Sequence, residues 1–355
     1  MRFAKVTVLV LLAVSVAACG AGPTSQVVPG KKVALLLPDT SSPRFQNQDL
    51  PLFQTKLQSL CPDCAVLYRN AAGDAATQRQ QADAAMAAGA NAVVLDPVDA
   101  STGFAIATSA AQHHVPVVAY DRLVMNVPSV RFYVGFDDAA IGALQGAALL
   151  AAVKGSRPSV VMLNGDSADA HAAALKKAVH GVIDGKVVVA REFDTPASSP
   201  GAAQTEMASA LTALGGKVDG VYAADDELAS GAAAAIKAAK LKTMPPITGG
   251  DTELTAVQRI VAGEQYMTVY RPVRQEAEAA AVLAYDLAYG VAVAPAVTGG
   301  KTVDNGAASL PAALIQPVAV TRLTVISTVI ADGFWTRAQI CTADYADACR
   351  AAGLN

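Results

Sequence analysis

The stretch Pro116-Val-Val-Ala-Tyr-Asp-Arg122 is the part of the sequence from which fold and function are best inferred. Its apolar run predicts a short buried strand that ends where Asp121 and Arg122 begin. In parallel α/β sheets, ligands bind just beyond the carboxyl ends of the strands. An aspartate offers fixed acceptors, and an arginine offers a rigid set of five N–H donors. We therefore predict that these two residues, with Arg44 far upstream, hold the hydroxyl groups of a small ligand between two domains.

The rest of the chain alternates between short apolar strands and helical patterns. Two successive series of strands are predicted, at residues 32–37, 66–70, 92–96, 116–120 and 132–136, then at 159–163, 187–191, 220–223, 247–250, 266–270 and 314–321. Helices are predicted between them, and residues 299–310 are predicted to form a long polar loop. Continuous apolar strands that alternate with helices are typical of α/β proteins with parallel sheets. Because 355 residues exceed one ordinary core, we predict two doubly wound parallel-sheet domains with a cleft between them.

Composition and charge exclude several classes of protein. Apolar residues make up 53% of the chain, which excludes a disordered protein, and the formal net charge of −3 argues against a nucleic-acid-binding protein. The sequence lacks glycine-rich phosphate-binding loops and the Gly-x-Ser-x-Gly motif, and its four histidines form no metal-ligand pattern. We therefore expect no nucleic-acid partner, no cofactor and no bound metal.

The N-terminal residues have the pattern of an export signal. Residues 1–19 combine a short basic start with an apolar run too short to span a bilayer. The segment Val16-Ala-Ala-Cys-Gly20 resembles the bacterial lipobox, which predicts a lipid anchor on Cys19; ordinary cleavage, with Cys19 incidental, is the alternative. Residues 20–30 are predicted to be a flexible tether. We expect an exported protein anchored to the outer face of the bacterial cytoplasmic membrane.

Four further cysteines are present, and export permits disulfides. They are Cys61, Cys64, Cys341 and Cys349, for which three pairings are possible. Proximity in sequence favours Cys61–Cys64 and Cys341–Cys349. Cys-Pro-Asp-Cys is also compatible with a redox pair, but thioredoxin-like sites place that motif at a helix start after a strand. Here it follows a predicted helix and precedes a predicted strand, so local structural disulfides are the preferred interpretation.

Four segments resemble a known family. They are Ala119-Tyr-Asp-Arg122, Phe132-Tyr-Val-Gly-Phe-Asp137, Gly250-Asp251 and Met267-Thr-Val-Tyr-Arg-Pro272. They resemble the type I periplasmic sugar-binding proteins, most of all the D-xylose-binding branch that serves ABC importers, and the likeness runs from about Lys32 to the C-terminus. The resemblance implies a monomeric Venus flytrap that closes on a sugar and is recognised by the transmembrane subunits of an ABC permease. It places a three-segment hinge between an N-terminal domain, 31–136 plus 273–313, and a C-terminal domain, 137–272 plus 314–355.

The resemblance also implies a set of ligand-binding residues. Asp121, Arg122 and Asp251 match the family outright, and Arg44 with Phe45 keeps its arginine–aromatic pair. Asp169 aligns with a family aspartate. His171 and Asp225 each stand in place of an asparagine, and Arg271 stands in place of a lysine. The family's stacking tryptophan, in the loop near residues 193–200, is missing, and the chain's single tryptophan is Trp335.

The charges in this set indicate the kind of ligand. Four aspartates face three arginines, with His171 able to make up the difference, so the signs nearly cancel. Buried charges are tolerated when they are paired with each other or with a ligand. Near-neutrality suits an uncharged polyhydroxylated molecule better than a phosphate or a carboxylate. We therefore expect a pentose such as xylose or an acyclic polyol such as xylitol.

Other interpretations of the same residues remain. Asp225 and Asp251 could simply cap the helices that follow them. Arg44 could be a surface group, Asp121 with Arg122 a structural ion pair, His171 a residue with no ligand role, and Phe45 a core residue. A glycosidase is disfavoured, because the nearby arginines would keep its carboxylates ionised. A sensor that presents its closed form to a membrane receptor kinase is an alternative that the sequence leaves open.

Overall fold

The computed structural model describes residues 30–40, 44–167, 169–292 and 295–354. The predicted signal segment, its Cys19 and nearly all of the predicted tether lie outside these residues. The strands are β1 (Lys32–Leu37), β2 (Ala65–Asn70), β3 (Ala92–Leu95), β4 (Val117–Tyr120), β5 (Val130–Phe136), β6 (Ser159–Asn164), β7 (Val188–Asp194), β8 (Gly220–Ala223), β9 (Met267–Tyr270), β10 (Thr302–Asp304), β11 (Ser309–Ile315) and β12 (Val318–Thr321).

Helices connect most of these strands. They are α1 (Leu50–Leu60), α2 (Ala75–Ala87), α3 (Ala100–Gln112), α4 (Asp138–Ala152), α5 (Ala170–Ile183), α6 (Pro200–Ala213), α7 (Asp226–Ala238), α8 (Leu254–Ala262), α9 (Val273–Tyr289), α10 (Pro295–Thr298), α11 (Arg337–Ile340) and α12 (Ala346–Ala351). Several begin at an aspartate whose side chain accepts a hydrogen bond from the first turn, as Asp74, Asp99 and Asp137 do for α2, α3 and α4. Such caps satisfy backbone donors that the helix itself leaves free.

The first sheet is parallel apart from one edge strand. In the described part of the chain it has seven strands in the order β10-β11-β5-β4-β3-β1-β2, and β10 runs antiparallel to β11. All four residues of β3 and of β4 are buried. Helices α1 and α9 cover one face of this sheet, and α2 and α3 cover the other. Burial on both faces explains why these strands are continuously apolar.

The second half of the chain builds smaller sheets. Strands β7-β6-β8 form a parallel sheet, and β12-β9 form an antiparallel pair. A core of buried residues from α4, α5, α6 and α7 surrounds β6 and β8. A separate apolar cluster joins α8 to the C-terminal segment. The predicted α/β fold with mainly parallel sheets is therefore confirmed.

The chain passes three times between the first sheet and the smaller sheets. The passages follow β5, β9 and β11. The strand predicted at 314–321 is wrong as a single strand, because β11 pairs with β5 up to Ile315 whereas β12 pairs with β9. The chain was predicted to cross to the C-terminal domain between residues 313 and 314, but β11 still pairs with β5 at Ile315 and Phe136. The domain bounds themselves stay a prediction.

Two further local predictions are wrong. The strand predicted at 247–250 is reduced to one bridge between Val221 and Ile247. The loop predicted at 299–310 contains the antiparallel pairing of Val303 with Leu310 and of Asp304 with Ser309.

The four described cysteines pair as sequence proximity predicted. Cys61 is bonded to Cys64, and Cys341 is bonded to Cys349. The first pair lies between the end of α1 and the start of β2, which is not the placement of a thioredoxin-like redox motif.

Candidate functional site

A cleft of about 1040 Å³ lies where the loops after several strands meet. Its walls come from both halves of the chain: the segment before α1, the turn after β4, the loop before α8, the start of α9 and the segment before α11. The charged residues on these walls are Asp39, Arg44, Asp121, Arg122, Glu227, Asp251, Glu253, Arg271, Arg274 and Asp332. Five of the predicted ligand-binding residues with charged side chains therefore share one cavity.

Arg44 lies at the centre of an ionic cluster. Its Nε and Nη2 donate to the two carboxylate oxygens of Asp49, at 3.1 and 3.0 Å. Nη2 also donates to Oε2 of Glu276 at 2.9 Å, and Nη1 lies 3.5 Å from Oδ2 of Asp121. The side chain is 16% exposed, so Arg44 is not a solvated surface group, although its pairing with Asp49 is local in sequence. Burial alone would lower the pKa of Arg44. The three carboxylates outweigh burial, so the pKa lies well above its usual value.

Two carboxylates of this cluster were not predicted from the sequence. Asp49 and Glu276 are both buried, and Asp49 also accepts a hydrogen bond from Tyr120. Oε1 of Glu276 has no hydrogen-bond partner among the described residues. Burial raises the pKa of Glu276 well above its usual value, and nearby Asp121 adds to the shift while Arg44 opposes it. The only sequence signal was a glutamate on the inner face of a helix whose other buried residues, apart from Asp286, are apolar.

The main contacts of Asp121 and Arg122 are with other residues and not with each other. Asp121 faces Arg44, whereas Nη1 of Arg122 donates to the carbonyl oxygen of Pro97 at 3.0 Å and lies 3.7 Å from Oδ1 of Asp96. The Arg122 side chain is 49% exposed. Burial raises the pKa of Asp121, but Arg44, Arg271 and Arg122 outweigh it and hold the pKa below its usual value. Asp121 is therefore an ionised acceptor at neutral pH.

Arg271 joins the second ionic group of the cleft. One guanidinium nitrogen, Nη2, lies 3.1 Å from Oδ1 of Asp251 and 3.0 Å from Nε2 of His171. Because arginine can only donate, Nε2 accepts and the proton of neutral His171 resides on Nδ1, which lies 2.9 Å from Oδ1 of Asp138. Nε of Arg271 is buried and has no partner among the described residues. A ligand acceptor that reached Nε would therefore satisfy it.

The backbone at Asp121 and Asp251 is unusual. Their φ angles are +58° and +84°, in the left-handed region that residues with a Cβ seldom adopt and that aspartate and asparagine tolerate best. Asp251 does not cap the next helix as the alternative interpretation held, because α8 begins only at Leu254. Its carboxylate instead points to Arg271.

Four predicted ligand residues make their main contacts elsewhere. Asp169 is exposed and caps α5 by accepting from the backbone N–H of His171 at 2.9 Å, and Asp225 caps α7 by accepting from Leu228 at 2.7 Å. Neither aspartate is among the described residues that line the cleft, and His171 reaches the cleft only through Arg271. Phe45 is 4% exposed and packs mainly in the apolar core beneath Arg44, although it also borders the cleft. A ligand role for these residues stays a prediction.

The carboxyl of Asp225 should make the stability of the protein depend on pH. Burial raises the pKa of its carboxyl to about 7, Asp251 adds to the shift, and the hydrogen bond from Leu228 opposes it. Folded protein then binds the proton more tightly than unfolded protein, so stability falls as the pH rises from about 4 to about 7. Asparagine caps helices equally well. We expect Asp225→Asn to remove this fall and to be more stable than the unmodified protein above pH 7 by about 1–3 kcal/mol.

Urea denaturation between pH 4 and pH 8 checks this expectation. Asp99→Asn is the matched control, since Asp99 is an exposed cap whose pKa is lowered by hydrogen bonds from Thr102. Because the pKa of Asp99 is lowered, its contribution to protein stability is lost at acid pH, which is the opposite pH dependence to that of Asp225. Parallel pH profiles for Asp225→Asn and the unmodified protein would contradict the assignment.

Two aromatic residues of the cleft wall were not predicted. Phe334 and Trp335 line it from the segment that precedes α11. The resemblance puts the family's stacking tryptophan in the loop near residues 193–200, where this chain has none, and no signal in the sequence connects the C-terminal segment to the cleft.

No group of three or more His, Cys, Asp or Glu residues within the described ranges is arranged to hold a metal ion. None of the helices in those ranges combines the length and the hydrophobicity that a bilayer crossing requires.

Comparison with known proteins identifies the family. The periplasmic binding protein domain family matches residues 33–291. The D-xylose-binding periplasmic proteins of Haemophilus influenzae and Escherichia coli are each 31% identical over 314 residues, which is 87% of this chain and 92% of each relative. A crystal structure of an ABC transporter solute-binding protein from Clostridium phytofermentans with bound β-D-glucose superposes with a TM-score of 0.74 at 25% identity, covering 87% of this chain and all of the other. The chain therefore belongs to the type I periplasmic binding proteins and has their Venus flytrap fold.

Proposed function

We propose that this protein is the substrate-binding component of an ABC sugar importer and that it captures a neutral pentose or polyol in the cleft. The observation that carries the proposal is the convergence of Arg44, Asp121, Arg122, Asp251 and Arg271 on one cavity. Each sugar hydroxyl both donates and accepts a hydrogen bond, so a set of carboxylates and guanidinium groups satisfies both roles. The names of the relatives, both D-xylose-binding proteins, support a pentose.

The pairing of the charges favours a ligand without charge. Two arginines of the set already face a carboxylate of the set: Arg44 faces Asp121, and Arg271 faces Asp251. An anionic ligand would have to compete with these carboxylates for the guanidinium groups. A neutral sugar can instead use the donors and acceptors that the pairs leave free, such as Nε of Arg271.

Delivery of the ligand requires a change of shape and a location outside the cytoplasm. The three passages between the sheets are suited to a hinge between domains 31–136 plus 273–313 and 137–272 plus 314–355. Closure of the hinge would present a new surface to the permease. We propose that the protein is exported, acts as a monomer and is held at the membrane by a lipid on Cys19, and that it has no enzymatic activity.

Calorimetry with a panel of neutral and charged ligands tests the proposal. We expect xylose or xylitol to bind with a Kd below about 1 mM, which corresponds to about −4 kcal/mol. Xylonate is acyclic like xylitol and of nearly the same size but carries a negative charge, and we expect it to bind at least tenfold more weakly than xylitol. Arg122→Ala should weaken the binding of the neutral ligand about tenfold, because its half-exposed guanidinium is one of several ligand donors.

Arg131→Ala is the control, since Arg131 is exposed on β5 and is not among the residues lining the cleft. Binding of neither pentose nor polyol below millimolar concentration would refute the proposed ligand class. Binding of xylonate as tight as that of xylitol, or tighter, would refute the charge argument.

A further inference from the structure

The C-terminal segment supplies a wall of the cleft that the family resemblance did not predict. Five of its residues line the cavity, namely Asp332, Gly333, Phe334, Trp335 and Gln339. Trp335 is partly exposed, and it is the single tryptophan of the chain. The other aromatic lining residues among those described are Phe334 and the nearly buried Phe45. Trp335 is thus the largest aromatic side chain among the described residues that line the cleft.

The orientation of the indole ring is fixed relative to the charged groups. Nε1 of Trp335 donates to the carbonyl oxygen of Thr252 at 2.8 Å, and Thr252 directly follows Asp251. The ring of Phe334 lies edge-on between Trp335, at 5.3 Å and 81°, and Tyr270, at 5.1 Å and 66°. Tyr270 directly precedes Arg271. The indole therefore has a set position beside the pair of Asp251 and Arg271.

The segment that carries the indole is itself anchored. Asp332 accepts hydrogen bonds from the hydroxyl of Tyr270 and from Nε of Arg274, the latter at 3.1 Å. Beyond the indole, Nε2 of Gln258 donates to the carbonyl oxygen of Gln339 at 3.1 Å, and the disulfide between Cys341 and Cys349 closes the segment that follows. These contacts mean that the ring is held in place before any ligand arrives.

We propose that Trp335 is the surface on which the ring of the sugar stacks, and that the protein therefore selects a cyclic pyranose over an acyclic polyol. This inference rests on the proposed function and narrows its ligand class. The indole N–H is already used by Thr252, so the ring offers the ligand an apolar face. A pyranose presents a flat array of C–H bonds to such a face. An acyclic chain presents none and loses more conformational freedom when it binds.

The single tryptophan makes the inference directly measurable, because its fluorescence reports only this position. We expect xylose to change the tryptophan emission of the unmodified protein and to bind at least tenfold tighter than xylitol. Trp335→Leu should weaken xylose at least tenfold and xylitol less than threefold. Trp335→Phe, which keeps an aromatic face but lacks the N–H donor, should weaken xylose less than threefold. Phe104→Leu, at a side chain that is 48% exposed and is not among the cleft-lining residues, is the control.

The possible outcomes separate this inference from the proposed function. If xylose binds but leaves the emission unchanged, or binds Trp335→Leu as tightly as the unmodified protein, the stacking role is refuted and the sugar-binding function stands. Equal losses in Trp335→Leu and Trp335→Phe would show that the indole acts through the structure of the segment, which also refutes the inference. Tighter binding of xylitol than of xylose refutes it as well. Absence of binding to the whole ligand panel refutes the function and the inference together.

Discussion

Replacement of Arg44 by methionine is expected to lower the free energy of unfolding by about 3 kcal/mol and to abolish ligand binding. The change leaves Asp49, Glu276 and Asp121 without their shared cation. Loss of one partner of a buried ionic group typically costs about 3–5 kcal/mol. We expect the lower end, because the raised pKa of Glu276 lets this carboxyl take up a proton instead of remaining an unpaired charge.

The cost should depend on pH with a defined sign. A carboxyl whose pKa is raised in the folded state makes the folded protein less stable as the pH rises. Removal of Arg44 should raise the pKa of Glu276 further, because Arg44 opposes the present shift. Urea denaturation of Arg44→Met should therefore show a larger loss at pH 8 than at pH 5. Addition of Glu276→Gln should recover part of the loss, since a neutral amide needs no counter-charge.

Arg131→Met is the matched control for stability. The side chain is exposed on a strand of the same sheet, so its loss should change the free energy of unfolding by less than about 0.5 kcal/mol. If Arg44→Met were as stable as this control, the cluster around Arg44 would not be an energetic unit.

Arg271→Met is expected to weaken pentose binding about 100-fold with little change in stability. Its guanidinium contacts Asp251 and His171, and its buried Nε has no hydrogen-bond partner among the described residues. Hydrogen bonds that involve a charged group contribute about 1.5–3 kcal/mol each, and a loss of 2.8 kcal/mol corresponds to about 100-fold. Stability should change little, because Asp251 is 46% exposed and can be solvated when its partner is lost.

Calorimetry on three variants tests this expectation. Arg271→Lys retains the positive charge and introduces the residue that the D-xylose-binding branch carries at this position. This variant should therefore lose less than tenfold in affinity. Arg191→Met, at an exposed arginine of β7, should bind like the unmodified protein. Unchanged affinity in Arg271→Met would place the ligand away from the pair of Arg271 and Asp251.

The sequence predicts the fold well where burial alone determines the structure. The strand Val117–Tyr120 is buried at all four residues, and its apolar pattern was sufficient to place it. The prediction failed where the pairing partner determines the structure. An apolar run at 314–321 does not reveal that its first residues pair with β5 and its last with β9. The polar composition of 299–310 likewise conceals an antiparallel edge strand.

The candidate site could be predicted from strand ends but not from helices. Asp121 and Arg271 follow buried strands directly, so their place at a sheet edge is evident from the sequence. Glu276 lies on the inner face of α9, where only tertiary contact with Arg44 explains a buried carboxyl. Trp335 reaches the cleft because its distant segment packs beside Thr252, and residue spacing contains no sign of that contact.

The left-handed backbone at Asp121 and Asp251 restricts how this cleft can be redesigned for another guest. Most side chains at these two positions would introduce steric strain between Cβ and the neighbouring carbonyl oxygen, whatever they offered to the ligand. A mutant library that aims at new selectivity would therefore sample only Asp, Asn and Gly there. Full diversity is better spent at Arg122, whose conformation is ordinary and whose side chain is half open to water.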